Sequence, residues 1–208
     1  MQAIWQPPAE GRPTVLALHG RGSDAGDLVP VVEAIDPGLG VLAPRGPVQE
    51  GPGYAWFRNY RIGVPVVESL REHLAGVADG VAQAAAEQGI DLPLVALGFS
   101  NGGMMAGALA AARPDLVGRA VLLSSAYPLP EEFLAPGGLR GMRVFLGAGD
   151  ADPFHPLDTL EAGAASYRGA GADVTTRVYP GLGHGVAPPE IDDVREWLSV
   201  AEAPPGRR

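Results

Sequence analysis

The sequence predicts an α/β protein: a mostly parallel central sheet with helices on both faces. Three observations carry this. Short apolar runs recur along the chain, too brief for helices and rich enough for buried strands. They cover residues 14–18 (TVLAL), 41–43 (VLA), 94–97 (LVAL), 120–123 (AVLL), 143–146 (RVFL) and 174–179 (VTTRVY). Longer segments with helical spacing alternate with them, which calls for a parallel sheet covered on both sides. Finally, residues 94–113 pass from strand to helix through Gly98-Phe99-Ser100-Asn101-Gly102-Gly103, an abrupt turn with a serine at its apex.

In chain order, residues 24–35 present Leu28, Val31, Val32 and Ile35 on one helical face, and Pro44 closes the 41–43 strand. Residues 45–63 are rich in Gly and Pro, yet contain Tyr54, Trp56, Phe57 and Tyr60. Such a loop either covers an edge of the core or lines a pocket. The second reading makes Tyr54, Trp56 and Phe57 one wall of a substrate site. Residues 65–88 carry Val66, Leu70, Leu74, Val77 and Val81 at helical spacing, with Gly89 as a C-cap. The Ala-rich stretch 104–113 is a strong helix former. A Pro/Gly-rich excursion runs from Tyr127 to Gly141. Helices follow at 157–170 and 188–200, the latter with Ile191, Val194, Trp197 and Leu198 on one face.

The 208 residues fit a single domain, with about 204–208 a frayed tail, and no gap between elements can hold a separate cap domain. Apolar residues make up 46% and charged residues 19%, a soluble balance. The net charge of −9 argues against nucleic acid and against stable association with anionic membrane, since both need basic surface. The absence of cysteine excludes disulfides, thiolate catalysis and thiolate metal sites. The N-terminus lacks a charged segment followed by a long apolar one, so a cytoplasmic location is expected. The chain carries no signal for or against a homo-oligomer.

Small residues two positions either side of Ser100 are what a nucleophile elbow needs, because side chains there collide across the turn. A serine hydroxyl needs a base, and a histidine base needs a carboxylate to fix its tautomer. The chain supplies them in the order Ser100, then Asp150 or Asp152 after a later strand, then His184 after the last strand. All lie beyond carboxyl ends of strands, where such sheets bind ligands. Among the other histidines, His73 sits on a helix face, His19 braces a Gly-rich turn, and His155 follows the aspartates too closely to reach back. Two backbone donors for an oxyanion are the N–H groups of Asn101, at the start of the elbow helix, and of Arg21, between Gly20 and Gly22. The histidines show no metal-ligand spacing, and neither metal nor cofactor is expected.

Five segments in this order, LALHGRGSDAGDL, APRGPVQEGPGYAWF, GFSNGG, GDADPFHP and GHG, resemble the phospholipase/carboxylesterase branch of the α/β-hydrolases. That branch includes small bacterial carboxylesterases and acyl-protein thioesterases. The resemblance spans about residues 14–198. It implies an α/β-hydrolase fold, Ser100 as nucleophile, Asp152 and His184 as its partners, and Arg21 and Asn101 as oxyanion donors. The spacing G-x-x-D-P-x-x-P in Gly149 to Pro156 matches the family's acid turn at Asp152, and Pro153 restricts that residue to extended backbone. The family often has Gln after the nucleophile where this chain has Asn101, a departure from the lipid-removing thioesterases. The expected activity is hydrolysis of small, soluble carboxylic esters through an acyl-enzyme. The alternatives are an acyl-protein or acyl-CoA thioesterase or lysophospholipase, and a non-catalytic binder on the same fold.

Overall fold

The computed structural model describes residues 1–125 and 128–199; Tyr127, Val200 and the expected tail lie outside them. Its elements are β1 (Ala3–Gln6), β2 (Thr14–Leu18), α1 (Val29–Ile35), β3 (Gly40–Pro44), β4 (Val48–Glu50), β5 (Gly53–Ala55), β6 (Asn59–Arg61), β7 (Val64–Pro65), α2 (Val67–Gln88), β8 (Leu94–Phe99), α3 (Asn101–Ala112), β9 (Val117–Leu123), β10 (Arg143–Gly149), α4 (Leu157–Gly169), β11 (Asp173–Tyr179) and α5 (Pro188–Ser199). Seven strands form the central sheet in the order β1-β3-β2-β8-β9-β10-β11. The β1–β3 pair is antiparallel and the others are parallel, an α/β-hydrolase arrangement.

Successive strand side chains point to opposite faces, so each apolar run feeds two cores. Leu16 and Leu18 of β2, Leu94 and Ala96 of β8, and Val144 and Leu146 of β10 join a cluster completed by α2, α3 and α4. Their neighbours Val15, Ala17, Val95, Leu97 and Phe145 join a second cluster with Leu28, Val32 and Ile35 from α1 and its approach, and Val194 and Trp197 from α5. Helix α3 is buried along most of its length, which explains its composition of Ala, Gly and Met. Gly89 caps α2 at φ 64°, the left-handed conformation its position requires. No helix among the described residues is long and apolar enough to cross a membrane.

Three local expectations change. Strand β1 precedes the first expected strand and forms the antiparallel edge. Helix α1 begins at Val29 rather than at Asp24, with a proline in its first turn. Asp24 is drawn into another contact, accepting from Ala25 N–H at 2.7 Å and from Arg45 Nε and Nη2 at 2.7 and 2.8 Å. The 45–63 segment holds two small antiparallel ribbons, β4–β5 and β6–β7.

That segment also corrects the expected pocket wall. Trp56 and Phe57 are 0% exposed and belong to the larger core cluster. Trp56 Nε1 donates to His19 O at 2.9 Å. Tyr54 is half-buried in β5, with the Arg45 guanidinium 4.3 Å from its ring centre. Trp56 and Phe57 thus seal the edge of the core and offer no surface to a substrate, while Tyr54 keeps part of its side chain exposed. Trp56→Ala is therefore expected to cost about 3–5 kcal/mol of stability, the range for a fully buried large aromatic. Denaturant unfolding of the variant checks this.

Candidate active site

Ser100 occupies the turn between β8 and α3 at φ 53° and ψ −117°, a strained conformation for a residue with a side chain. Surrounding bonds hold it there. Its N–H donates to Leu123 O at 2.9 Å, and its carbonyl accepts from Gly103 N–H at 3.0 Å and Met104 N–H at 3.2 Å. The turn closes because Gly98 and Gly102 lack side chains. A Cβ on Gly98 would strike the Gly102 carbonyl, and one on Gly102 would strike the carbonyls of Leu18 and His19.

His184, in the loop after β11, reaches Ser100 from the other side. Its Nε2 lies 3.0 Å from Ser100 Oγ, and its Nδ1 lies 2.8 Å from Asp152 Oδ2. A carboxylate can only accept, so Nδ1 carries the hydrogen. Nε2 then presents a lone pair, and the Ser100 hydroxyl donates to it. Asp152 is fully buried in its side chain. Its other oxygen accepts from Phe154 N–H at 2.8 Å and His155 N–H at 3.2 Å. Burial pushes the Asp152 carboxyl up, but the bonds from His184 and the Phe154 amide outweigh it and hold the group below the usual carboxylate range. Asp150 is exposed and turned away, accepting from Gly181 N–H at 2.6 Å, where it tethers the loop leading to His184.

Asn101 follows Ser100 directly, and Gly20, next to Arg21, packs against the ring and carbonyl of Phe99. Asn101 opens α3, so its N–H belongs to the first turn, where a helix leaves amides without intrahelical partners. The Arg21 loop is latched to β5: Gly22 N–H donates to Tyr54 O at 2.8 Å and Tyr54 N–H to Ser23 O at 2.7 Å. His19 braces it from below, donating from Nδ1 to Gly20 O at 2.8 Å and accepting at Nε2 from Gly46 N–H at 3.0 Å. Burial lowers the His19 pKa, which suits this neutral bracing role.

Several contributors escaped the sequence reading. The Asn101 side chain accepts from Trp56 N–H at 2.8 Å and donates to Phe57 O at 3.1 Å and Asn59 Oδ1 at 2.7 Å, so it clips the aromatic segment onto the elbow. Its replacement of the more usual Gln was the available signal. Phe154 is 40% exposed and stands edge-on to His184 at 5.2 Å between ring centres, while Phe99 lies 4.9 Å away. His155 stacks on His184. Among the described residues, Asp152, His155 and His184 bring their ligand atoms within 4.8 Å of one another. Both nitrogens of His184 are already engaged, Nδ1 with Asp152 Oδ2 at 2.8 Å and Nε2 with Ser100 Oγ at 3.0 Å, so hydrogen bonding accounts for this cluster.

Glu190, in the first turn of α5, is fully buried, and neither carboxylate oxygen has a hydrogen-bond partner among the described residues. It sits against Gly147 of β10, where any Cβ would strike Oε1. Burial pushes its carboxyl up to about 8. The sign is direct: above the ordinary value of 4.5 the unfolded chain has released this proton, whereas the folded chain holds it up to about 8. The Glu190 contribution to stability is therefore fully present below 4.5 and lost as pH rises through that window. Glu190→Gln is expected to flatten the decline of Tm across the window and to raise Tm at its upper end. Thermal unfolding at matched pH values checks it.

Comparison with known proteins places these features in a lineage. The model of the phospholipase/carboxylesterase family matches residues 1–202. Bacillus subtilis MhqD is 29% identical over 188 residues, covering 90% of this chain and 92% of that protein. Acyl-protein thioesterase 1 of Gibberella zeae is 27% identical, covering 89% and 88%. The crystal structure of the Bacillus cereus carboxylesterase superposes with a TM-score of 0.85 at 30% identity, covering 95% of this chain and 93% of that one. A hydrolase of the phospholipase/carboxylesterase family is thus what this chain is by membership.

Proposed function

We propose that the protein is a serine carboxylesterase that hydrolyses small, soluble carboxylic esters through an acyl-enzyme. The observation that carries this reading is the continuous row from Ser100 Oγ through His184 to Asp152 Oδ2, at 3.0 and 2.8 Å. Ser100 Oγ attacks the ester carbonyl carbon as its proton passes to His184 Nε2. Asp152 keeps Nδ1–H in place and stabilises the imidazolium. The negative charge that develops on the carbonyl oxygen meets the N–H groups of Arg21 and Asn101. Collapse breaks the bond to the alcohol oxygen, which takes the proton from Nε2 and leaves. A water then gives a proton to His184 and attacks the acyl carbon, and Ser100 regains its proton as the acid departs.

The small-ester preference rests on what flanks the site. Phe154 offers one exposed aromatic face beside His184, enough for a short chain. The segment between β9 and β10, whose described part holds only the short 3-10 turn Glu131–Phe133, is too modest for a cap. The thioesterase reading keeps a footing through the similarity to the Gibberella zeae protein. A panel of p-nitrophenyl esters from acetate to palmitate, run beside matched thioesters, separates the two. The highest kcat/KM is expected for the shortest oxygen esters, with activity unaffected by EDTA or thiol alkylation. A maximum at palmitate or on thioesters overturns the substrate assignment, and chelator-sensitive activity restored by zinc overturns the mechanism.

A further inference from the structure

His155 follows Asp152 by three residues and is 2% exposed. Its ring lies nearly parallel to that of His184, with centres 5.3 Å apart and planes 16° from parallel. Its Nδ1 is 3.5 Å from Asp152 Oδ2, the same oxygen that accepts from His184 Nδ1. That nitrogen is buried and has no hydrogen-bond partner among the described residues. Left bare, such an atom is costly; facing a carboxylate, it has one favourable state. A lone pair there would repel the Asp152 oxygen, so Nδ1 carries hydrogen and Nε2 does not. Burial lowers the His155 pKa and favours this neutral form. The distance is too long for a full hydrogen bond and needs only a few tenths of an ångström to become one.

The ring has little freedom to leave. Nε2 faces Gly63 in the β6–β7 ribbon, and a Cβ on Gly63 would strike the Phe154 carbonyl. The His155 N–H is itself bonded to Asp152 Oδ1, so backbone and side chain grip both oxygens of one carboxylate. The groups facing His184 are then Asp152 and His155 from the turn after β10 and Ser100 from the elbow, with the rings of Phe99 and Phe154 beside them.

Building on the serine-hydrolase reading, we propose that His155 is a positioning residue for this reaction. Its ring face sets the plane of the His184 imidazole, and its Nδ1–H supplies Asp152 Oδ2 with a second donor. The pair stays aligned while the proton moves from Ser100 to His184. His155 touches neither substrate nor the reacting atoms.

Two substitutions separate its two contributions. His155→Phe keeps an aromatic face and removes the N–H. His155→Asn removes the ring and returns an N–H near the position of Nδ1. The phenylalanine variant is expected to lose roughly tenfold in kcat, the scale for losing an outer partner of a working ligand, with KM little changed. The downfield proton resonance of the His184–Asp152 hydrogen bond is expected to move further downfield, because Oδ2 loses a competing donor. The asparagine variant is expected to bring the resonance back toward its original position. A His155→Phe enzyme with unchanged kcat and an unmoved resonance overturns the proposal. Should that variant fail to fold, His155→Asn and His155→Leu are compared at equal folded fraction. Asn exceeding Leu severalfold in kcat supports the role, and equality overturns it. Loss of Ser100 labelling by a fluorophosphonate in the unsubstituted enzyme would instead strike the serine-hydrolase reading itself.

Discussion

Asp152→Asn is expected to lower kcat by about 10⁴-fold with the fold intact. The reason lies in the tautomer. With a carboxylate at 2.8 Å, His184 Nδ1 must donate and Nε2 must accept the Ser100 proton. An amide NH₂ turned toward Nδ1 favours the opposite tautomer, which places a hydrogen between Nε2 and Ser100 Oγ and removes the base. The amide oxygen is retained by the N–H donors of Phe154 and His155, so the NH₂ is what faces His184. Asp150→Asn is the matched control. Asp150 accepts one bond, from Gly181 N–H, and an amide oxygen serves that bond equally well. Its kcat is expected to stay within about threefold of the parent's, the surface substitution acting only through the loop. A crippled Asp150→Asn beside an active Asp152→Asn would show that the carboxylate bonded to His184 is not the working acid.

Ser100→Ala is expected to remove about 10⁶-fold of kcat, since no other group in the row can accept the acyl chain. Residual turnover above water is expected from the Arg21 and Asn101 amides, which the substitution leaves in place. Stability is expected to change little. Alanine and serine carry the same Cβ, so both meet the same backbone strain at φ 53°. Unfolding curves that superpose, with activity lost, are the predicted pair of results. Activity within tenfold of the parent's would place the chemistry elsewhere.

The elbow was legible because its geometry excludes side chains at two positions, and glycines at 98 and 102 announce it. The order of strands and helices was legible for a similar reason: parallel strands covered on both faces read as unbroken apolar runs. What escaped depends on contacts distant in sequence. An aromatic-rich loop reads alike whether it seals a core or lines a pocket. Trp56 is assigned by its bonds to His19 O and the Asn101 side chain, 37 and 45 residues away. β1 has only four residues before a Pro-Pro pair, too short for a period to show. His155 follows Asp152 too closely in sequence to read as the base. That same closeness puts it against the face of His184. Glu190 stands in the first turn of an amphipathic helix, and its burial depends on the space left by Gly147 on a strand more than 40 residues earlier.

The claim that Ser100 is the acyl acceptor is tested most directly by covalent capture. The enzyme is treated with a fluorophosphonate, digested, and the modified peptide mapped by mass spectrometry, with residual ester hydrolysis followed in parallel. One phosphonyl group on Ser100, activity lost in step with its addition, and no labelling of Ser100→Ala are the predicted results. A label on Ser124 or Ser125, or full activity in protein labelled at Ser100, would contradict it.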